Sequence, residues 1–277
     1  MPQLILICIF IVERIHEKWF ILDEIVIRKE VKEHMKYPTK DEWIKIQENS
    51  NIDKLKLTVA IPQSTDIFTF AINQELRSWI RLFNNRLGET RMSYVLFMSN
   101  FNEGIPDEQW YISPGFNGES IQYFPHFEEK NFHFKSMFDY YVDIFYYKFF
   151  SAWDTMFHIL NTHQQFDVNS GIGFNNKVLN KLKVTNQELH NIIKETDNSA
   201  SFIKSRDLRN NITHNFAPNE VSSGLTKLKR NGELKRIDVG IGSYTPSSIF
   251  VENINGVIEE FSNLLKVIEK NLEGPRS

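Results

Sequence analysis

The chain has 277 residues, 41% hydrophobic and 24% charged, which supplies a packed core and excludes a disordered or fibrous polypeptide. A formal net charge of −3 excludes capture of nucleic acid or an anionic membrane by bulk charge, so any polyanion site must be a local basic patch. The single cysteine, Cys8, excludes an intramolecular disulfide and a cysteine-built metal cage and points to a reducing, cytoplasmic setting.

In chain order, apolar residues recur at helical spacing from Leu4 to about Met35 (Ile11, Val12, Ile15, Trp19, Leu22, Ile25, Val26), and Pro38 ends the pattern. The run Leu4 to Val12 has no basic region before it, is too short to span a bilayer and continues into Glu13, Arg14 and Glu17. It reads as the start of a buried helix rather than a leader or membrane anchor. Asp41 to Gln47 predicts a short helix, and the alternation of Leu55, Leu57, Val59 and Ile61 predicts a strand over Lys54 to Ile61. Thr65 or Asp66 caps a helix to about Leu87, with Ile67, Phe70, Ala71, Leu76, Ile80 and Phe83 inward and Gly88 past its end.

Thr90 to Phe101 is apolar without deciding between helix and strand. Asn102 to Lys130 mixes Gly and Pro with aromatics, the composition of an irregular or β-hairpin connection and of a domain boundary. Phe132 to Phe166 is aromatic on nearly every side and predicts a central bundle helix. Helices are expected at Asn175 to Val184 and at Asn186 to Glu195, the second capped by Thr185 or Asn186. Leu225 to Ile241 reads as a hairpin turning at Asn231-Gly232, because both residues tolerate positive φ. Ser247 or Ser248 opens a last helix with Ile254, Val257, Ile258, Phe261, Leu264, Leu265 and Ile268 on one face.

The chemistry concentrates between Ser199 and Pro218. Ser199 or Asn198 is an N-cap and Pro218 stops the helix. At about 100° per residue, Ser201, Ser205, Leu208, Ile212 and Phe216 share a packing flank, while Arg206, Asp207, Arg209, Asn210, Thr213 and His214 share the other. Arg209 and His214 enclose four residues and Asn210 follows the arginine. A second pair of legal spacing, Arg28 and His34, is set aside because Lys29 follows its arginine inside a charged run.

The Arg209-Asn210-x3-His214 pattern, on an amphipathic helix downstream of an aromatic one, resembles the Arg-polar-x-His motif of the HEPN superfamily (higher eukaryotes and prokaryotes nucleotide-binding domain). The resemblance covers about Phe132 to Leu272. It implies a mainly α fold, a HEPN-like helical bundle, here with a small β-hairpin embellishment and an N-terminal helical extension. The division implied is 1–130, of unassigned role, and 131–277, the bundle with the motif. Family members that cleave RNA do so without metal or other cofactor, at a site composed across a homodimer, and are commonly toxins or defence effectors restrained by an antitoxin or regulatory protein.

The residue types suit that chemistry. A histidine exchanges protons near neutral pH, so His214 is the candidate general acid/base. Arg209 would grip phosphoryl oxygens in pairs and stabilise the developing charge, and Asn210 would orient the imidazole or hold RNA. Arg206, Thr213, Lys229 and Arg230 are the candidate RNA contacts. About 140° of helix separates Arg209 from His214, which favours a site where two such helices meet on a twofold axis. The alternative is a noncatalytic HEPN-like module that binds RNA or nucleotide or assembles proteins. Asp154 and His158, four apart, have the spacing of two metal ligands but no third, and satisfied core groups are the favoured reading.

Overall fold

The computed structural model describes residues 37–230 and 233–273. The chain divides into Met1–Pro38 and Thr39–Ser277, and every element below belongs to the second unit. The expected first helix, with Cys8 and the Arg28 to His34 pair, lies outside the described residues, as does the Asn231-Gly232 turn. Helix α1, Lys40–Glu48, forms where a short helix was expected, started by a capping box in which Thr39 and Glu42 satisfy each other's backbone N–H. A 3₁₀ turn follows at Ile52–Lys54. Residues 55–61 keep the alternation of a strand, with Leu55 and Leu57 buried, but pair with no strand among the described residues. Side chains replace the missing ladder. Asn84 donates to Leu57 O at 2.8 Å and accepts from Leu57 N at 2.9 Å, and Glu269 accepts from Thr58 N at 2.6 Å. The pattern was thus one of sidedness, not of sheet.

Helix α2, Ile67–Asn102, is capped by Asp66, whose carboxylate accepts from Thr69 N. It does not stop at Leu87 but runs on through Gly88. A glycine inside a helix costs about 1 kcal/mol, and the burial of Leu87, Val95 and Phe97 on either side of it outweighs that. The connection to the next helix holds the small hairpin β1, Tyr111–Ile112, and β2, Gln122–Tyr123. Then come α3, Glu129–His163, α4, Phe174–Thr185, α5, Gln187–Asp197, and α6, Ala200–His214. Asn186 caps α5 and Ser199 caps α6. An antiparallel hairpin, β3, Leu225–Arg230, and β4, Glu233–Val239, precedes α7, Ser247–Glu273.

The protein is mainly α, a bundle built on α2, α3 and α7. Aromatic edges seal it: Phe97 of α2 meets Phe138 and Phe145 of α3 at 5.6 and 6.0 Å, and Phe149 of α3 meets Phe261 of α7 at 5.2 Å. The expected inner face of α7, from Ile254 to Ile268, is buried throughout. Among the described residues, helix α2 packs along α3 more extensively than any other pair of helices, and side chains of both belong to one core.

Asp154 and His158 act in packing. Asn175 Nδ2 donates to Asp154 Oδ1 at 2.8 Å, and the His158 ring is stacked between Trp79 at 4.2 Å and Phe174 at 4.3 Å, joining α2, α3 and α4. Burial, with Arg86 adding to it, holds the His158 imidazole below its ordinary range, against the weaker opposing pull of Asp154 and Glu75. The unfolded chain therefore binds this proton more readily, and stability is full above the ordinary histidine range and declines as pH falls through it. Between about pH 7.5 and 5.5, the melting temperature of His158→Phe, which keeps a ring in the stack, is expected to fall less than that of the wild type in parallel thermal melts; equal slopes would refute the assignment.

Candidate functional site

Helix α6 is held from below by Phe202, which is fully buried and lies 4.8 Å from Trp153 and 5.5 Å from Phe149, centroid to centroid. The sequence had put Phe216 on this packing flank. Phe216 lies past the helix end and is 70% exposed, because α6 stops at His214 and the chain turns away towards Pro218. Ser205 and Leu208 do face inward, and Ile212 packs against the core half-buried.

The rotation of α6 is set by one polar side chain. Asn253 of α7, 4% exposed, accepts from Tyr146 Oη of α3 at 2.9 Å and from Ser205 Oγ at 2.8 Å, and its amide donates to Ser201 O at 3.0 Å. Close approach is permitted by Gly256, where a Cβ would lie 2.6 Å from Ser201 Oγ. The cap residue Ser199 also hydrogen-bonds Glu260. These contacts turn Arg209 to a position beside α3 and leave Asn210, Thr213 and His214 exposed.

The Arg209 guanidinium lies over the Phe150 ring, 5.2 Å from its centroid, and Nη1 donates to Asn210 Oδ1 at 3.1 Å. Asn210 thus holds the arginine rather than the histidine. Among the described residues neither Arg209 nor His214 forms an ion pair, including with Asp207. Thr213 Oγ1 donates back to Arg209 O at 2.8 Å, an ordinary helical bond. Arg206 does pair, with Asp197 at 2.5 Å, and ties α6 to α5. On the hairpin, Lys229 and Arg230 end β3 opposite Leu234 and Glu233, while Lys235 and Arg236 pair with Glu233 and Asp238.

The exit of the motif helix is also fixed. Thr245 N donates to Pro218 O at 2.7 Å, and Lys135 Nζ of α3, buried, donates to Asn219 O at 3.3 Å while pairing with Asp139 at 2.5 Å. Burial raises the Asp139 carboxyl above its ordinary range, and Lys135 offsets only part of that. Asp107 completes the base, accepting from Tyr244 Oη at 2.6 Å and Ser247 Oγ at 2.7 Å. The sequence reading missed Phe150, Asn253 and Gly256 as supports. Asn253 was legible in principle, as an amide three residues before Gly256 inside the mostly apolar stripe of α7.

A helical bundle with an Arg-Asn-x3-His helix packed on a central aromatic helix is the architecture of a HEPN domain. The family model for Cthe2314-like HEPN proteins matches residues 79–273, most of the chain, and the protein belongs to that family. The match begins inside α2, well before the Phe132 start that the motif region alone implied. No curated protein and no solved structure matches the chain. No helix among the described residues is long and apolar enough to cross a membrane, and no cluster of three or more metal-ligating side chains occurs among them.

Replacing Asn253 by Ala leaves the Tyr146 and Ser205 hydroxyls buried without their acceptor, an expected loss of about 2–4 kcal/mol in denaturant unfolding. A loss under about 0.5 kcal/mol would show that the three helices do not depend on this residue.

Proposed function

We propose that the protein is a metal-independent endoribonuclease in which Arg209 and His214 are the catalytic pair and Asn210 restrains the arginine. The observation that carries this reading is the state of the pair: in a HEPN-family bundle, a half-buried guanidinium and an exposed imidazole are presented on one helix with no ion pair among the described residues. The RNA 2′-hydroxyl oxygen attacks the adjacent phosphorus, and the bond to the 5′-oxygen breaks. His214 moves the proton and Arg209 neutralises the charge gathering on the phosphoryl oxygens.

The wide angle between the two residues on α6 fits a site completed by a second copy, so that two motif helices facing across a twofold axis supply two imidazoles and two guanidiniums. Thr213, exposed beside the pair, and Lys229 and Arg230 on the following hairpin are the proposed RNA contacts. Arg206 is assigned to holding α5 instead, because its ion pair with Asp197 occupies it. In this reading the protein works in the cytoplasm as a toxin or antiviral-defence effector under the control of an antitoxin or regulatory partner.

Cleavage is expected to survive a chelator, to spare DNA and to leave a 2′,3′-cyclic phosphate beside a 5′-hydroxyl. Arg209→Ala and His214→Ala should each lower kcat by about 10²–10⁴-fold. A substrate with one 2′-deoxy position at the scissile site decides the chemistry: its cleavage, or loss of activity with chelator, refutes the assignment. RNA bound by wild-type protein but never cut would favour the noncatalytic binding module. In cells, overexpression is expected to arrest growth and Arg209→Ala to relieve it; normal growth at high wild-type expression would count against a toxin.

A further inference from the structure

Arg209 makes two directional contacts at this site, with Phe150 and with Asn210. Its guanidinium does not project freely into solvent. Its central carbon lies over the ring of Phe150 at 5.2 Å, and Phe150 is 5% exposed and is itself backed by Phe149 in an edge-to-face contact at 5.4 Å. One N–H of Nη1 is taken by Asn210. A planar cation carries five N–H donors in a fixed fork. With a buried ring on one side and one Nη1 donor committed, the guanidinium keeps its Nε–H and both Nη2 N–H donors, a parallel Nε–H/Nη2–H pair among them. That is the presentation a phosphoryl group needs for two parallel hydrogen bonds.

We propose that Phe150 is a positioning residue for Arg209, holding the guanidinium by its ring face in the orientation that receives the scissile phosphate; this rests on the endoribonuclease reading given above. A leucine of similar bulk keeps the wall but lacks the quadrupole that attracts the cation. The guanidinium would then sample many rotamers, and its fork would meet the phosphate only part of the time. The effect belongs to the step in which charge develops, so it falls on kcat more than on KM.

The test compares Phe150→Leu, Phe150→Tyr and Arg209→Lys in the full-length protein, with two readouts. The first is RNA cleavage. Phe150→Leu should lower kcat about tenfold with KM little changed. Phe150→Tyr, which restores a ring, should recover most of the rate. In Arg209→Lys, which has no fork to align, adding Phe150→Leu should cost little more. The second is the NMR signal of the Arg209 side-chain Nε–H, assigned by its disappearance in Arg209→Lys. In the wild type it should be shifted upfield by the ring, and in Phe150→Leu it should move to the position of a free arginine while the melting temperature and the rest of the spectrum stay close to wild type. If wild-type protein cuts no RNA, the endoribonuclease reading falls, and the Arg209 signal still decides the placement. A wild-type signal already at the free-arginine position, or a Phe150→Leu variant with unchanged kcat, overturns the proposal. If Phe150→Leu unfolds, Phe150→Tyr with a wild-type signal and rate supports it, and Phe150→Tyr with a free-arginine signal overturns it.

Discussion

A buried asparagine at the meeting of three helices sets the geometry of this protein. Asn253 has one oxygen and one amide, and the two hydroxyls and one carbonyl around it leave it a single arrangement. Aromatic packing would let α6 roll or slide, since dispersion contacts are broadly tolerant of small shifts. The directional bonds of Asn253, together with the bare backbone at Gly256, do not. They convert a hydrophobic bundle into a frame that faces a chosen set of side chains outward. The position of Arg209 against Phe150 follows from that rotation, and so does the exposure of His214.

Much of the helical order was legible in the sequence, because the helix starts carry their own chemistry. Asp66, Asn186 and Ser199 each place a short oxygen three residues before a backbone N–H that needs it, and each begins a helix in the structure. The inner face of α7 was legible for the same local reason, its period. What was not legible depended on partners distant in sequence. Residues 55–61 look like a strand because one side is buried, but whether a neighbour exists is decided by Asn84 and Glu269 elsewhere in the chain. Gly88 looked like a stop because its local cost is unfavourable, and the burial that overrides it comes from α3 and α7.

The site shows the same split. Spacing and residue type pointed to Arg209, Asn210 and His214, and a wheel drawn on α6 separated an inner flank from an outer one. The wheel misplaced Phe216, because it assumed a helix two residues longer than the one that forms, and it gave no reason for the full burial of Phe202. It also could not assign Asn210, whose partner proved to be the arginine beside it. Nor could it separate Arg206 from Arg209: one is absorbed into an ion pair with α5 and the other laid against a ring, a difference that only neighbouring helices create.

The last turn of a helix is where backbone order is usually weakest, since its final carbonyls lack partners and the end frays on fast timescales. His214 occupies that turn. Four residues on, Pro218 is pinned to Thr245, and Asn219 is gripped by a lysine inside the protein. The chain leaving α6 is therefore moored almost as soon as it leaves, and the imidazole hangs on a short span fastened at both ends. Fraying of that turn is therefore confined to the few residues between the helix body and Pro218, because the chain beyond is held by the loop that leads into α7.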